Sequence, residues 1–259
     1  MAEALLKHAM DHDTQEQWAL FLDFDGTLVD IAERPEAVVV DPALPEILTS
    51  LAARLGGALA IISGRPISFL DKRLGERRFD MAGLHGLEHR IDGELFSCSP
   101  DDHPRLREMV ERLEAIVRTK PGILIEDKGC SVAIHWRLAP IERDYVHSTV
   151  HSALEALGSD YRVQFGKAVA EILPSAAGKG KVIESFLQQY PYRGRRPIFI
   201  GDDLTDENGF KMVNALGGCS VRIGAGDTVA RERLGSPSDL RQALAHWAAQ
   251  GACPFQEIH

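Results

Sequence analysis

The sequence predicts an α/β protein: a doubly wound parallel sheet with an inserted, smaller α+β domain. Three observations predict it. Short apolar runs alternate with amphipathic helical stretches toward both ends of the chain, the pattern of βαβ units. Three of those runs stop abruptly at polar clusters, as strands do at the carboxyl edge of an open α/β sheet. Between about residues 100 and 173 the rhythm changes to a helix followed by a hairpin, twice over. The expected division is therefore 1–99 with 174–259 as the core and 100–173 as the insert.

The first apolar run, Trp18 to Leu22, is read as a buried strand, and Asp23-Phe24-Asp25-Gly26-Thr27 follow directly. An irregular stretch to Val40 comes next. Asp41-Pro42 is expected to open a helix, with Asp41 as cap and Pro42 in the first turn. Leu44, Ile47, Leu48, Leu51 and Leu55 share one face, and Gly56-Gly57 stop it. Ala58–Ile62 is a second apolar run, ending in Ser63-Gly64-Arg65. A helix from Pro66 to Leu74 leads to a third run, Phe79–Leu84. A hairpin turn is expected at Asp92-Gly93.

Inside the insert the expected helices are 104–120 and 141–157. The expected strands are Ile123–Glu126, Cys130–Trp136, Tyr161–Phe165 and Ala168–Leu173. The alternation then resumes with a helix over 179–189, a strand at Pro197–Ile200 and Gly201-Asp202-Asp203 at its end. A helix over 205–216, a strand at Ser220–Ile223 and a helix over 240–249 complete the chain.

The 259 residues, 44% hydrophobic and 26% charged, are ordinary for a globular protein. A net charge of −9 argues against a nucleic-acid groove, yet allows an anionic ligand where the local field opposes the global one. Cys98, Cys130, Cys219 and Cys253 lack metal-site spacing and read as reduced thiols of a cytoplasmic protein. No apolar segment has the length of a signal peptide or a membrane span. The scattered surface apolar residues reveal no interface, so a monomer or weak dimer is expected.

If the strands are parallel, Asp23/Asp25/Thr27, Ser63/Gly64/Arg65 and Asp202/Asp203 with Asp206 meet at one edge. Crowded carboxylates call for a cation, and an oxygen-lined pocket suits Mg²⁺ beside a substrate phosphate. One carboxylate can attack phosphorus. A second, two residues on, can protonate the leaving oxygen and then deprotonate water. A serine, turn amides and a lysine can hold the phosphoryl oxygens.

Asp23-Phe24-Asp25-Gly26-Thr27, Ile62-Ser63-Gly64-Arg65, Lys179-Gly180 and Gly201 to Glu207 resemble, in order, the four motifs of the haloacid-dehalogenase-type phosphatases. The resemblance covers essentially the whole chain and implies that superfamily's Rossmannoid core with the α+β cap of its sugar-phosphatase branch. Within that branch the chain is most similar to the trehalose-6-phosphate phosphatase family. The similar segments are Gly83 to Glu88, Glu126 to Gly129, Ala133 to Arg137 and Glu171 to Pro174.

The resemblance implies that Asp23 is nucleophile and metal ligand. Asp25 is acid/base, with its backbone carbonyl on the metal, and Asp202 is the further carboxylate ligand of Mg²⁺. Ser63, Gly64 and Thr27 bind the phosphoryl group, with Thr27 orienting Asp25, and Lys179 stabilises its charge. Asp203 and Asp206 stand behind these groups, Asp206 holding Lys179 or a metal-bound water. In the cap, Glu126, Lys128, Glu171 and His135 contact the sugar, with Arg137, Glu88 and Lys167 as weaker candidates. Arg65 receives no role. The implied reaction is Mg²⁺-dependent hydrolysis of trehalose 6-phosphate through an aspartyl phosphate, in trehalose biosynthesis. A sucrose-phosphate or mannosyl-phosphate phosphatase, a mutase and a silent sugar-phosphate sensor stand as alternatives.

The chain departs from the family pattern before the third motif, in Pro174-Ser175-Ala176-Ala177-Gly178-Lys179. Lys181 is a rival there, and Gly180 directly after Lys179 favours the earlier lysine. His85-Gly86-Leu87-Glu88-His89 has the spacing of an inverted zinc-protease motif, but Gly86 argues against the helix it needs.

Overall fold

The computed structural model describes residues 18–32, 37–75, 79–166 and 168–255. The chain forms two compact units. One comprises residues up to Phe96 and from Gly178 onward; the other is Ser97–Ala177.

In the first unit eight strands form one sheet. They are β1 (Trp18–Leu22), β2 (Leu59–Ile62), β3 (Asp80–Gly83), β4 (Glu88–Ile91), β5 (Glu94–Ser97), β10 (Arg196–Gly201), β11 (Cys219–Ile223) and β12 (Glu232–Leu234). Their order is β12-β11-β10-β1-β2-β3-β4-β5. Pairing is parallel from β12 through β3 and turns antiparallel at β4. Every residue of β1 and β2, and all of β10 after Arg196, is buried. Continuous apolar runs of this kind mark parallel strands covered on both faces. The covering helices are α1 (Leu44–Arg54), α2 (Ile67–Leu74), α5 (Lys179–Phe186), α6 (Glu207–Ala215) and α7 (Pro237–Gln250). Helix α1 packs on α7 and α5 on α6.

The strand order reverses beside β1. The chain moves outward from β1 to β2 and β3, then returns to place β10 on β1's other edge, with Leu22 opposite both Ile61 and Ile200. Ligands of open α/β sheets bind at such a reversal, beyond the strands' carboxyl ends. The residues that follow Leu22, Ile62 and Ile200 are the predicted polar clusters.

Ser97–Ala177 holds an antiparallel sheet of order β6-β7-β9-β8, from β6 (Leu124–Asp127), β7 (Val132–His135), β8 (Tyr161–Gly166) and β9 (Val169–Pro174). Val132, Ile134, Ala170 and Ile172 form its core with Leu106, Met109 and Leu113 of α3 (Pro104–Val117) and Val146, Val150 and Leu157 of α4 (Arg143–Leu157). Side chains alternate faces along a strand, so the row Glu126–Ala133–Glu171–Gln164 lies on the opposite face.

Four sequence expectations need correction. The helix after Asp41 begins at Leu44, because the Asp41 carboxylate accepts the Ala43 N–H in a local turn that holds Pro42 outside. Strand β12 was missed; it has three residues, two of them charged and exposed. The compact second unit begins at Ser97 and ends at Ala177, beyond the expected 100–173 on both sides. Cys98 and Cys130 are joined as a disulfide, while Cys219 and Cys253 are free and buried. A separation of 32 residues hid that pairing, which arises because the β6–β7 turn returns to the segment before α3. Lys167 lies outside the described residues. No described helix is long and apolar enough to cross a membrane.

Tyr192 fastens the segment after α5 to the sheet. Its ring stacks on Phe21 at 5.4 Å and meets Phe186 edge-on at 5.1 Å. Its hydroxyl is shared between Asp80 Oδ2, at 2.7 Å, and the Leu59 carbonyl, at 3.0 Å. We expect Tyr192→Phe to cost about 1–3 kcal/mol, because the buried acceptors lose their donor while the ring packing stays. Denaturant unfolding should show a lower midpoint with an unchanged slope; an unchanged midpoint would show that the hydroxyl contributes nothing.

Candidate active site

Asp23 is the first residue past β1, and its N–H donates to the Ile200 carbonyl of β10. Phe24, buried in the core, pins the next turn, and the N–H groups of Leu28 and Val29 both donate to its carbonyl. Gly26 completes the loop with φ +77°, and a Cβ there would lie 2.1 Å from Asp202 Oδ2. Only glycine allows the β10 end to approach this closely.

Lys179 occupies the first turn of α5. Its ammonium lies 2.7 Å from Asp23 Oδ1 and 2.6 Å from Asp206 Oδ1, and all three groups are buried. The other Asp206 oxygen accepts the N–H groups of Asp202 and Asp203, at 3.0 Å each. Gly201 makes room for this, since a Cβ there would lie 2.3 Å from Asp206 Cγ. Asp203 is an N-cap beside the cluster, its carboxylate accepting the N–H and hydroxyl of Thr205. Lys181, the rival lysine, is exposed and pairs with Glu184 at 2.8 Å.

Carboxylate oxygens of Asp23, Asp202 and Asp206 lie within 4.8 Å of one another. Burial raises the Asp23 carboxyl to about 6 against the pull of Lys179. Asp202 is also raised to about 6, by burial and then by Asp206 and Asp203. Burial lifts Asp206 to about 7. For Lys179 burial opposes the charge, but Asp23 and Asp206 outweigh it and hold the ammonium protonated. One lysine cannot neutralise this set, so the residues present fit a hard divalent cation. Asp206 spends one oxygen on Lys179 and the other on two amides, whereas each Asp23 oxygen accepts a single hydrogen bond and keeps a lone pair. Asp23 and Asp202 therefore have the most capacity left for a metal.

Two neighbours differ from expectation. The Thr27 hydroxyl donates to Asp23 Oδ2 at 2.9 Å, so it orients the first aspartate, where Asp25 was expected. Asp25 is instead held by Arg65, whose Nε and Nη2 donate to its two carboxylate oxygens at 2.8 and 3.0 Å. The guanidinium also stacks on Phe69, 4.8 Å from the ring centre. Sequence reading left Arg65 without a role, because its partner lies 40 residues away. Ser63 is buried and its hydroxyl oxygen accepts the Arg65 N–H at 3.1 Å. Gly64 lies against the His85 imidazole, which a Cβ there would meet at 2.9 Å. His85, at φ +57°, and His89, on β4, share no helix face. Glu88 binds the N–H of Ile67. The zinc-protease spacing is thus incidental.

On the polar face of the second unit, Glu171 Oε1 accepts from the Ser131 hydroxyl at 2.7 Å and pairs with Lys128 at 3.3 Å. Glu126 meets His135 at 2.9 Å. Gln164 shares the Glu171 row, and Arg162 Nη1 lies 3.5 Å from Gln164 Oε1. Sequence reading missed Ser131, Gln164 and Arg162; strand parity relative to Glu171 carries the signal for all three. Arg137 is exposed, two residues past β7.

The profile of the trehalose-phosphatase family matches residues 21–241. A probable trehalose-phosphate phosphatase of Sinorhizobium fredii is 47% identical over 223 residues, covering 85% of this chain and 83% of its own. The trehalose-6-phosphate phosphatase of Escherichia coli is 40% identical over 225 residues, covering 86% and 84%. Among solved structures, the trehalose-6-phosphate phosphatase of Aspergillus fumigatus superposes with a TM-score of 0.71 at 24% identity, over 92% of this chain and 96% of that one, and so shares the fold. A haloacid-dehalogenase-type core whose strand ends gather Asp23, Lys179, Asp202 and Asp206 thus accompanies sequence identity along most of the chain. The chain belongs to the trehalose-phosphatase family and is a phosphatase of phosphate monoesters.

Proposed function

We propose that the protein hydrolyses trehalose 6-phosphate to trehalose and phosphate through a phosphoaspartate on Asp23. The observation that carries the chemistry is the buried contact of Asp23 with Lys179 beside Asp202. The family and its 47%-identical relative carry the substrate. The Thr27 hydroxyl and Lys179 ammonium each take one Asp23 oxygen, which fixes the carboxylate before phosphate arrives. Lys179 then has its charge beside the transferring group.

Asp25 is the acid/base. It gives its proton to the departing sugar oxygen and takes one from the water that cleaves the phosphoaspartate. To do so its carboxylate exchanges one of the two Arg65 N–H bonds for the reacting oxygen. The Ser63 hydroxyl and the Gly64 N–H donate to the remaining phosphoryl oxygens. Asp23, Asp202 and the Asp25 carbonyl would hold Mg²⁺, which when bound supplies positive charge for the phosphate oxygens. On the polar face of the second unit, Glu126, Lys128, Glu171 and His135 bind sugar hydroxyls. A carboxylate accepts from hydroxyl pairs, and Lys128 adds donors.

Asp23→Asn should lower turnover by about 10³-fold or more without loss of the folded state, measured by phosphate release and circular dichroism. Appreciable residual turnover would remove Asp23 as nucleophile.

Glu126→Ala should reduce kcat/KM on trehalose 6-phosphate by about tenfold, the worth of one lost hydrogen bond to a charged group. Hydrolysis of p-nitrophenyl phosphate should stay within about twofold. Equal losses on both would show that Glu126 does not read sugar. Sucrose 6-phosphate and a mannosyl phosphate, run in parallel, decide the sugar; a preference for either displaces trehalose 6-phosphate.

Asp23 and Asp202, raised to about 6 and proposed to hold Mg²⁺, set a pH sign. In the metal-free protein these raised values mean that the folded state binds more protons than the unfolded one between about pH 4 and 6, so their contribution to stability falls as pH rises. Mg²⁺ competes with those protons. Its stabilisation should therefore be small at pH 5 and grow through pH 6 to 7.5, read as the Tm difference between magnesium and chelator. A Tm difference independent of pH would place the metal elsewhere.

A further inference from the structure

We propose that Cys98 and Cys130 are a reversibly oxidisable pair, a site for thiol–disulfide exchange whose oxidised state orders the turn carrying Lys128. The disulfide joins the segment before α3 to the end of the β6–β7 turn, across Cα atoms 6.3 Å apart. Those two segments also pack directly: a Cβ on Gly129 would sit 3.1 Å from Pro100 Cγ. Cys98 is half-buried and so within reach of a small reductant, whereas Cys130 is buried. A ring nitrogen of His103 lies within 4.8 Å of both sulfurs, and its Nδ1 bonds the Tyr161 hydroxyl at 2.8 Å, which holds the ring in place. An imidazole so placed stands within reach of either sulfur when the bond opens, beside the atoms that thiol–disulfide exchange uses. The other two cysteines offer the contrast. Cys219 and Cys253 are buried, and burial pushes both thiols up to about 12.

The turn that the pair would govern is short and internally bonded. Lys128 N–H donates to Ser131, Cys130 N–H to Lys128, and Gly129 N–H to the Asp127 carboxylate. Lys128 and Ser131 both meet Glu171 Oε1, and Cys130 stands between them in sequence. Fixing Cys130 therefore limits the positions open to both Glu171 partners. With a small dithiol as reductant, one of its sulfurs attacks the protein disulfide and the S–S bond breaks. Its second sulfur then displaces the protein sulfur from the mixed disulfide. The dithiol leaves as a cyclic disulfide, having given two electrons, and the two protons end on Cys98 and Cys130. The effect on sugar binding rests on the roles proposed above for Lys128 and Glu171; the pair itself does not.

The test equilibrates the full-length protein with mixtures of dithiothreitol and its cyclic disulfide, then alkylates it in denaturant with iodoacetamide. Mass spectrometry should find only Cys219 and Cys253 alkylated in the oxidised protein and all four cysteines in the reduced one. Hydrogen exchange at the Gly129 and Cys130 amides should be about tenfold faster in the reduced protein. In every mixture Cys98→Ser should show its three remaining cysteines alkylated and the exchange rates of the reduced protein. KM for trehalose 6-phosphate should rise about threefold on reduction, with kcat and p-nitrophenyl phosphate hydrolysis unchanged. Four alkylated cysteines in excess cyclic disulfide would overturn the pair, as would a reduced protein that holds Zn²⁺ and resists oxidation. Equal exchange rates in both states would overturn the ordering of the turn. Faster exchange with an unchanged KM upholds the pair and refutes the sugar role of Lys128.

Discussion

One buried ammonium organises this molecule. Lys179 sits between Asp23 and Asp206, at 2.7 and 2.6 Å, with Asp202 adjoining. These residues come from the segment after β1, from the first turn of α5 and from the segment after β10, so the contact ties the ends of the sheet's central strands to a helix. Taking such charges out of water is costly, and a well-packed apolar set of the same volume often serves stability as well or better. The cluster is therefore poorly explained as a structural device. Its acids outnumber its one cation, and burial lifts three of the carboxyls well above their ordinary value. A fold that holds unneutralised carboxylates at a strand-order reversal is arranged for a positively charged visitor.

The backbone makes that crowding possible. Gly26 and Gly201 stand where any side chain would collide with Asp202 or Asp206. Gly180 lets α5 approach α6, since a Cβ there would lie 2.8 Å from the Asn208 carbonyl. Three absent side chains thus allow three carboxylates and an ammonium to converge. Charge sets the chemistry, and the glycines set the distances.

How much of this was legible follows from what each residue depends on. The strands β1, β2 and β10 and their acidic ends were readable, because burial on both faces writes an uninterrupted apolar run and a run has to end where the sheet does. Helix faces were readable from period. Partners were not. The Thr27 hydroxyl has two aspartates nearby in sequence, and only the geometry of the turn after Phe24 aims it at Asp23. Arg65 lies 40 residues from Asp25, and Cys98 lies 32 from Cys130; no local pattern joins either pair. Asp41 carries the chemistry of a helix cap, yet its carboxylate closes a turn one step earlier. Composition specifies which groups are present, and the chain's return path specifies which of them meet.

The net charge of −9 seems ill suited to a phosphorylated ligand, and the arrangement of groups resolves the difficulty. Coulomb forces between exposed charges fade within about 8–10 Å at ordinary ionic strength, so the distant surface acids count for little at the site. What counts is the local set. There the ammonium of Lys179 lies on Asp23 and the guanidinium of Arg65 on Asp25, both just past the carboxyl end of β1. A divalent ion on Asp23 and Asp202 would offset the charge that Lys179 leaves on the cluster, so that a phosphate no longer meets net negative charge there. The polar face of the second unit follows the opposite logic. Its carboxylates Glu126 and Glu171 lie on one cross-strand row with only Ala133 between them, which suits neutral hydroxyl donors and repels a second phosphate. Each unit thus presents its own ligand chemistry, an anion with its cation at the sheet edge of the first and neutral hydroxyls on the polar face of the second.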